Sequence, residues 1–317
     1  MEQLKNYLRL VRINNLLFVT ILLGVMQHWV VMPVLRHTLV TEHLPWWVLL
    51  LLVAGTVCVA AGGYVINDWF DVKIDRINRP DDLIVTRVID KETAMRLFYV
   101  LTGVGIACGL ASAVCCRSIT LGAVFIIVPG LLWFYSASYK RQLFVGNLIV
   151  AFCAALTPML VAVANVDYLR HVYGDLFMGT GIAPRLYAWC GGFAVFAFLM
   201  TWAREVVKDL QDRRGDRELE CHTVPVVLGV AWAKTVVTVL LVLTGALASW
   251  VVWGMLPAAE GGLGVATRYL LCGLLIPLAC ELWLLWAAGT PREYRNAQQL
   301  LKFIMLLGTL SAFFIVS

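Results

Sequence analysis

The chain has 317 residues, 61% of them hydrophobic and only 14% charged, with a formal net charge of +5. Soluble proteins carry about 25% charged residues. A water-soluble enzyme, a soluble nucleic-acid binder and a disordered chain are therefore excluded, and the mean hydropathy of +0.82 points the same way. The expected fold class is all-α, a polytopic membrane protein.

A bilayer core about 30 Å thick is crossed by roughly 20 apolar residues as helix. Nine such runs are predicted, at 13–34, 45–66, 95–115, 118–137, 143–165, 186–204, 225–254, 267–288 and 298–317. The first is longer than a signal-peptide core and lacks a small-residue cleavage site, so it reads as a span. The second and sixth each lead directly into an acid-rich segment. The third contains Gly105 and Gly109 at the spacing that permits close helix packing. Pro129, Pro158 and Pro277 sit inside spans, where neighbouring helices can satisfy the carbonyl each one frees. The seventh is expected to break near its start, beside Pro225 and Gly229. With the N-terminus cytoplasmic, twenty of the 25 Lys and Arg residues fall on the cytoplasmic side. The positive-inside rule thus places the N-terminus in and the C-terminus on the opposite side.

Most of the nine cysteines lie in apolar runs, where Cys packs as a small hydrophobe. No CxxC pair is present, and the five histidines share no ligand spacing, so none is assigned a role. The acids are more informative. Thirteen of the 20 fall in two segments, after the second and sixth spans. This suggests a weak internal repeat, one domain over 1–317 made of two similar half-bundles.

In the first segment, Asp68, Asp71 and Asp75 stand at i, i+3 and i+7, one face of a continued helix, with Asn67 beside them and Pro80 as the stop. In the second, Glu205, Asp209, Asp212 and Asp216 stand at i, i+4, i+7 and i+11. Like charges in a stripe repel. Removing one acid, as in Asp71→Ala, is therefore expected to leave stability unchanged or raised. Hard divalent cations offset the repulsion, and Mg²⁺ combines one or two carboxylates with waters and phosphate oxygens. A diphosphate substrate follows, its remaining oxygens held by nearby Arg and Lys. A cation-coupled transporter is the distant alternative, but its acids belong near the bilayer midplane on broken helices. The DGxxAR…G…DxxxD pattern of the membrane CDP-alcohol phosphotransferases is missing.

At these residues the sequence resembles the UbiA superfamily of intramembrane prenyltransferases. The NDxxDxxxD motif followed by NRP is matched by Asn67, Asp68, Asp71, Asp75 and Asn78-Arg79-Pro80. The DxxxD motif is matched by Asp212 and Asp216, with Thr223-Val224-Pro225 beyond. The segment 135–141 is similar to the family's YSxxLKR, with Asn147 after it. Arg12 and Asn15 are similar to the basic start of helix one.

The resemblance implies nine transmembrane helices around a central cavity with an Asp-rich cytoplasmic mouth. It also implies Mg²⁺-dependent transfer of a polyprenyl group from its diphosphate. Asn67, Asp68, Asp71 and Asp75 would hold one Mg²⁺, and Asp209, Asp212 and Asp216 another. Asp71, Asp75, Asp212 and Asp216 would be the catalytic acids. Arg12, Asn15, Tyr64, Arg79, Tyr139, Lys140, Arg204 and Lys208 are substrate-binding candidates. Segment 204–216 most resembles the branch that makes digeranylgeranylglyceryl phosphate, which implies a geranylgeranyl donor and a geranylgeranylglyceryl phosphate acceptor. Arg217 to His222 depart from the usual Gly-Lys-rich turn, so an aromatic acceptor such as 4-hydroxybenzoate or dihydroxynaphthoate is the alternative. The expected partners are those substrates and membrane lipids in a prokaryotic cell membrane, with no nucleic acid and no obligatory protein partner.

Overall fold

The structure, a computed structural model, describes residues 2–36, 38, 40–78, 80–251, 253 and 264–315. Among these the fold is all helical, with one isolated bridge between Val85 and Ile89 and no strand. A short amphipathic helix α1 (Glu2–Leu10) precedes nine helices long and apolar enough to cross a membrane. These are α2 (Ile13–Arg36), α3 (Trp46–Asn78), α4 (Lys91–Cys116), α5 (Ile119–Ala137), α6 (Val145–Tyr173), α7 (Ile182–Glu218), α8 (Val230–Trp250), α9 (Val265–Ala287) and α10 (Pro291–Leu310). The protein is an integral, multi-pass membrane protein.

Two boundaries differ from the apolar runs in a way that matters for function. Helices α3 and α7 continue well beyond 66 and 204, to Asn78 and Glu218, and carry both acid-rich segments as helix. Asn78 is the last helical residue of α3, two before Pro80, as expected from the clash a proline imposes on the preceding backbone. The expected break in the seventh run is present. A single turn, Val224–Val227, ends before Gly229, whose φ of 90° a side chain would resist, and α8 then begins.

The chain forms two compact units, one of Met1–Lys140 with Leu156–Gly191, the other of Arg141–Ala155 with Gly192–Ser317. The boundaries cut through α6 and α7, not between whole groups of helices.

In the first unit, α3 and α4 approach until their backbones touch. A Cβ on Gly105 would lie 2.8 Å from the Val59 backbone nitrogen, and one on Gly109 would lie 2.1 Å from Cγ of Phe125 in α5. The glycine pair is thus the packing surface of a three-helix contact. Helix α2 passes through a π-turn, Met26–Val31, that carries the buried Gln27. Its amide pairs with Asn165 of α6 in both directions, at 2.7 and 3.3 Å. Two polar residues are thereby satisfied at membrane depth. Towards the acid-rich end, Leu10 of α1 packs with Val65, Ile66 and Val72 of α3 and with Ile84, Val85 and Ile89 of the following loop.

In the second unit, α7, α8, α9 and α10 share one apolar core that includes Met200, Leu241, Leu285 and Leu301. Lys234 at the start of α8 donates to the carbonyls of Ala288 (2.6 Å) and Trp286 (3.2 Å), a cation placed on the negative end of α9. Thr290 and Glu293 then form a capping box that starts α10. Glu281 of α9 is fully buried, and among the described residues neither carboxylate oxygen has a hydrogen-bond partner. Trp46, Trp232, Trp250, Trp283 and Trp286 are exposed, the placement tryptophan takes at a membrane interface.

Candidate active site

The first acidic set is built on the last three turns of α3. Its carboxylates are compensated, which the spacing of like charges does not suggest. Arg12 Nη2 lies 2.7 Å from Asp68 Oδ1, and its guanidinium stacks 4.9 Å from the Tyr64 ring centroid. Asn15 Nδ2 donates to the Tyr64 hydroxyl at 3.3 Å. Arg12 holds a left-handed backbone (φ 53°, ψ 56°) at the junction of α1 and α2, a conformation that costs a non-glycine residue free energy.

Lys140 Nζ lies 2.5 Å from Asp71 Oδ1, with both side chains largely buried at 10% and 15% exposure. Asn67 Nδ2 donates to the other oxygen of Asp71 at 3.0 Å, while Asn67 Oδ1 is buried and, among the described residues, accepts no hydrogen bond. Asp75 is half-buried one turn further along α3. Arg12, Asn15, Tyr64, Asn67, Asp68, Asp71 and Lys140 are therefore brought together in this unit. Tyr139 sits in the single turn Tyr139–Arg141, its ring 6.4 Å from that of Phe134. Arg79 lies outside the described residues.

The pairing of Asp68 and Asp71 corrects one expectation. Removing Asp71 does not relieve a cluster of bare carboxylates. It deletes an ion pair of a largely buried lysine, so stability is expected to fall.

The second acidic set is built on the last four turns of α7. Glu205 Oε1 pairs with Arg204 Nη2, and Glu205 Oε2 lies 3.8 Å from Lys208 Nζ. Asn147 Nδ2 of α6 donates to Asp209 Oδ2 at 2.9 Å. Asp216 is buried and accepts from the Thr223 hydroxyl at 3.0 Å. Asp212 is half-buried between them. The turn after α7 is tied down by His222 N donating to Arg141 O at 2.8 Å.

Three partners carry no role in the sequence reading. Asn147 and Asn165 are isolated amides inside apolar runs, and that oddity is the signal that marks them. Thr223 lies in a matched motif, but its bond to Asp216 needs the turn that brings 223 back.

Among the described residues no three His, Cys, Asp or Glu side chains form a ready-made metal cage. Mg²⁺ does not need one, because it keeps waters and takes substrate oxygens. The residues present fit it. Asn67 Oδ1 is a buried oxygen without a donor, next to Asp71 on the same face of α3, and the donor set is all oxygen.

A family model described as the UbiA prenyltransferase family matches residues 30–307. A digeranylgeranylglyceryl phosphate synthase from Ignicoccus hospitalis is 34% identical over 57% of this chain and 54% of its own length, so that match spans about half of the relative. The enzyme of the same name from Thermococcus sibiricus is 29% identical over 88% of each chain. Among solved structures, a digeranylgeranylglyceryl phosphate synthase in membranes matches with a TM-score of 0.60 at 22% identity over 99% of both chains. A UbiA homologue from Archaeoglobus fulgidus bound to DMAPP and Mg²⁺ matches with a TM-score of 0.57 at 17% identity, over 98% of this chain and 99% of that one.

Proposed function

Because this chain belongs to the UbiA prenyltransferase family, we propose that it transfers a geranylgeranyl group from its diphosphate to the hydroxyl of geranylgeranylglyceryl phosphate, in one catalytic domain. The observation that carries the reading is the pair of helix-borne carboxylate sets, each wired to its own polar partners: Asp68 and Asp71 in one, Asp209 and Asp216 in the other. The acceptor choice is supported by the relatives named above and by the basic residues Arg204, Lys208, Arg213, Arg214 and Arg217 on α7. A glyceryl phosphate acceptor brings a phosphate of its own, which an aromatic acid does not.

Asn67, Asp68, Asp71 and Asp75 would hold Mg²⁺ on α3, and Asp209, Asp212 and Asp216 would hold it on α7. The bound metal supplies electrostatic stabilisation of charge developing on the departing diphosphate. Arg12 and Lys140, salt-bridged to Asp68 and Asp71, supply positive charge for the phosphate oxygens of the donor. Arg79 adds further positive charge there, and Arg204 and Lys208 add it on α7 for the substrates' phosphates. Asn15 orients Tyr64, and Tyr64 and Tyr139 offer ring faces to a developing allylic cation. The N-terminus is cytoplasmic and the C-terminus lies on the opposite side, in a prokaryotic cell membrane.

The test is purified protein in detergent with labelled geranylgeranyl diphosphate and Mg²⁺. Geranylgeranylglyceryl phosphate, 4-hydroxybenzoate and dihydroxynaphthoate are compared as acceptors. Product with the glyceryl phosphate is expected. Product only with an aromatic acceptor would overturn the acceptor and leave the family standing. Asp212→Ala should lower turnover by at least about 10²-fold.

A further inference from the structure

Hydroxyls inside these membrane helices satisfy themselves locally. Thr20, Thr56, Thr244 and Thr309 each donate to the carbonyl four residues back, at 2.8 to 3.0 Å. Thr201 of α7 departs from that pattern. It is 3% exposed, and its hydroxyl has no hydrogen-bond partner among the described residues. One turn along the same helix, Arg204 uses Nη2 on Glu205 while its Nε–H is also buried without a partner among the described residues. Residues three and four apart are neighbours on a helix surface. Thr201, Arg204, Glu205 and Lys208 therefore share one face.

Buried polar groups are normally paired, and leaving one unpaired is costly, more so where no water reaches. Two hydrogen-bond donors left open within one helical turn, beside a second cation, point to a ligand rich in acceptor oxygens. We propose that Thr201 Oγ1, Arg204 Nε and Lys208 Nζ form the subsite for a phosphate monoester, the phosphate of the acceptor. Thr201 is its neutral, specificity-determining member. This rests on the acceptor reading above and deepens it.

The chemistry fits each group. A phosphate monoester presents three oxygens and about −1.5 to −2 charge at neutral pH. Arg204 and Lys208 offset that charge, and Glu205 pairs with Nη2 of the guanidinium and not with Nε. The carboxylates at 209, 212 and 216 stand further along α7, so metal-held diphosphate and acceptor phosphate have separate binding groups on one helix. An aromatic acid brings a carboxylate of two oxygens and a single charge, against the three oxygens and higher charge of a phosphate monoester.

The experiment is steady-state kinetics on the full chain with Thr201→Val, which keeps the shape and removes the hydroxyl, and with Thr201→Ser, which restores it. Thermal midpoints are recorded for both. Losing one hydrogen bond to a charged group should raise KM for geranylgeranylglyceryl phosphate about ten-fold or more. KM for geranylgeranyl diphosphate and kcat at saturation should stay within about two-fold. The serine variant should restore KM. The valine variant should match or exceed the wild-type thermal midpoint, because an unpaired buried hydroxyl is replaced by a methyl. Unbound Thr201→Val should also be less stabilised against heat by millimolar glycerol 1-phosphate than the wild type.

A shift in KM for the diphosphate instead would assign the subsite to the donor and overturn the proposal. Unchanged KM for both substrates, or a lowered thermal midpoint with unchanged KM, would show a water-filled or purely structural site and overturn it equally. A wild type that prenylates only aromatic acceptors would defeat the acceptor reading itself, which the same wild-type measurement reveals separately.

Discussion

Replacing Asp71 with alanine tests the ion pair that the spacing of acids conceals. Asp71 Oδ1 and Lys140 Nζ are 2.5 Å apart with side chains 15% and 10% exposed. At an effective dielectric of about 20, two unit charges at that separation attract by ~6–7 kcal/mol, most of which desolvation offsets. Removing Asp71 deletes this ion pair from a largely buried lysine, which costs up to about 3–5 kcal/mol. The alanine also removes the oxygen that accepts from Asn67 Nδ2 at 3.0 Å. With an unfolding entropy of about 2 cal/mol/K per residue, the thermal midpoint should drop by up to ~5–8 °C.

The assay is a thermal ramp of detergent-solubilised protein in chelator, so that no metal enters the comparison. Tryptophan fluorescence or a thiol-reactive dye reports unfolding, the latter through buried Cys116 and Cys190. Asp71→Ala with Lys140→Met should recover part of the loss, since the double variant removes both charges of this pair. A midpoint for Asp71→Ala equal to or above the wild type would refute the reasoning. It would mean that like-charge repulsion along α3 outweighs the pair with Lys140.

Chelation should abolish prenyl transfer and added Mg²⁺ restore it, measured by product formation; full turnover in excess chelator would remove the metal role of the carboxylates. Gly109→Ala should destabilise by about 1–3 kcal/mol, read as a lowered thermal midpoint, because the new methyl lands 2.1 Å from the Phe125 ring. Glu281→Gln should raise the thermal midpoint, because it removes a potential charge from a fully buried site whose oxygens find no partner among the described residues; a lower midpoint would show that the carboxylate is satisfied by water or another group.

The chemistry-bearing stripes are legible in the sequence because helical periodicity is local. Asp68, Asp71 and Asp75 share a face by spacing alone, as do Glu205, Asp209, Asp212 and Asp216, once α3 and α7 run on to Asn78 and Glu218. The nine spans are legible for a similar reason, since crossing a bilayer demands a length of apolar residues that no other constraint imposes. What each acid touches is a different matter. Arg12 meets Asp68 across 56 residues, Asn147 meets Asp209 across 62, and Gln27 meets Asn165 across 138. No local pattern encodes those pairings. They arise because buried polar groups must find partners and helix packing decides which are within reach. The same holds for the glycines: the spacing of Gly105 and Gly109 permits close approach, but only the tertiary structure sets Val59 against one and Phe125 against the other. Composition and periodicity thus determine which helices form and which faces carry charge. Packing decides that the carboxylates of α3 are held by Arg12 and Lys140, and so turns an expected relief of repulsion into an expected loss of stability.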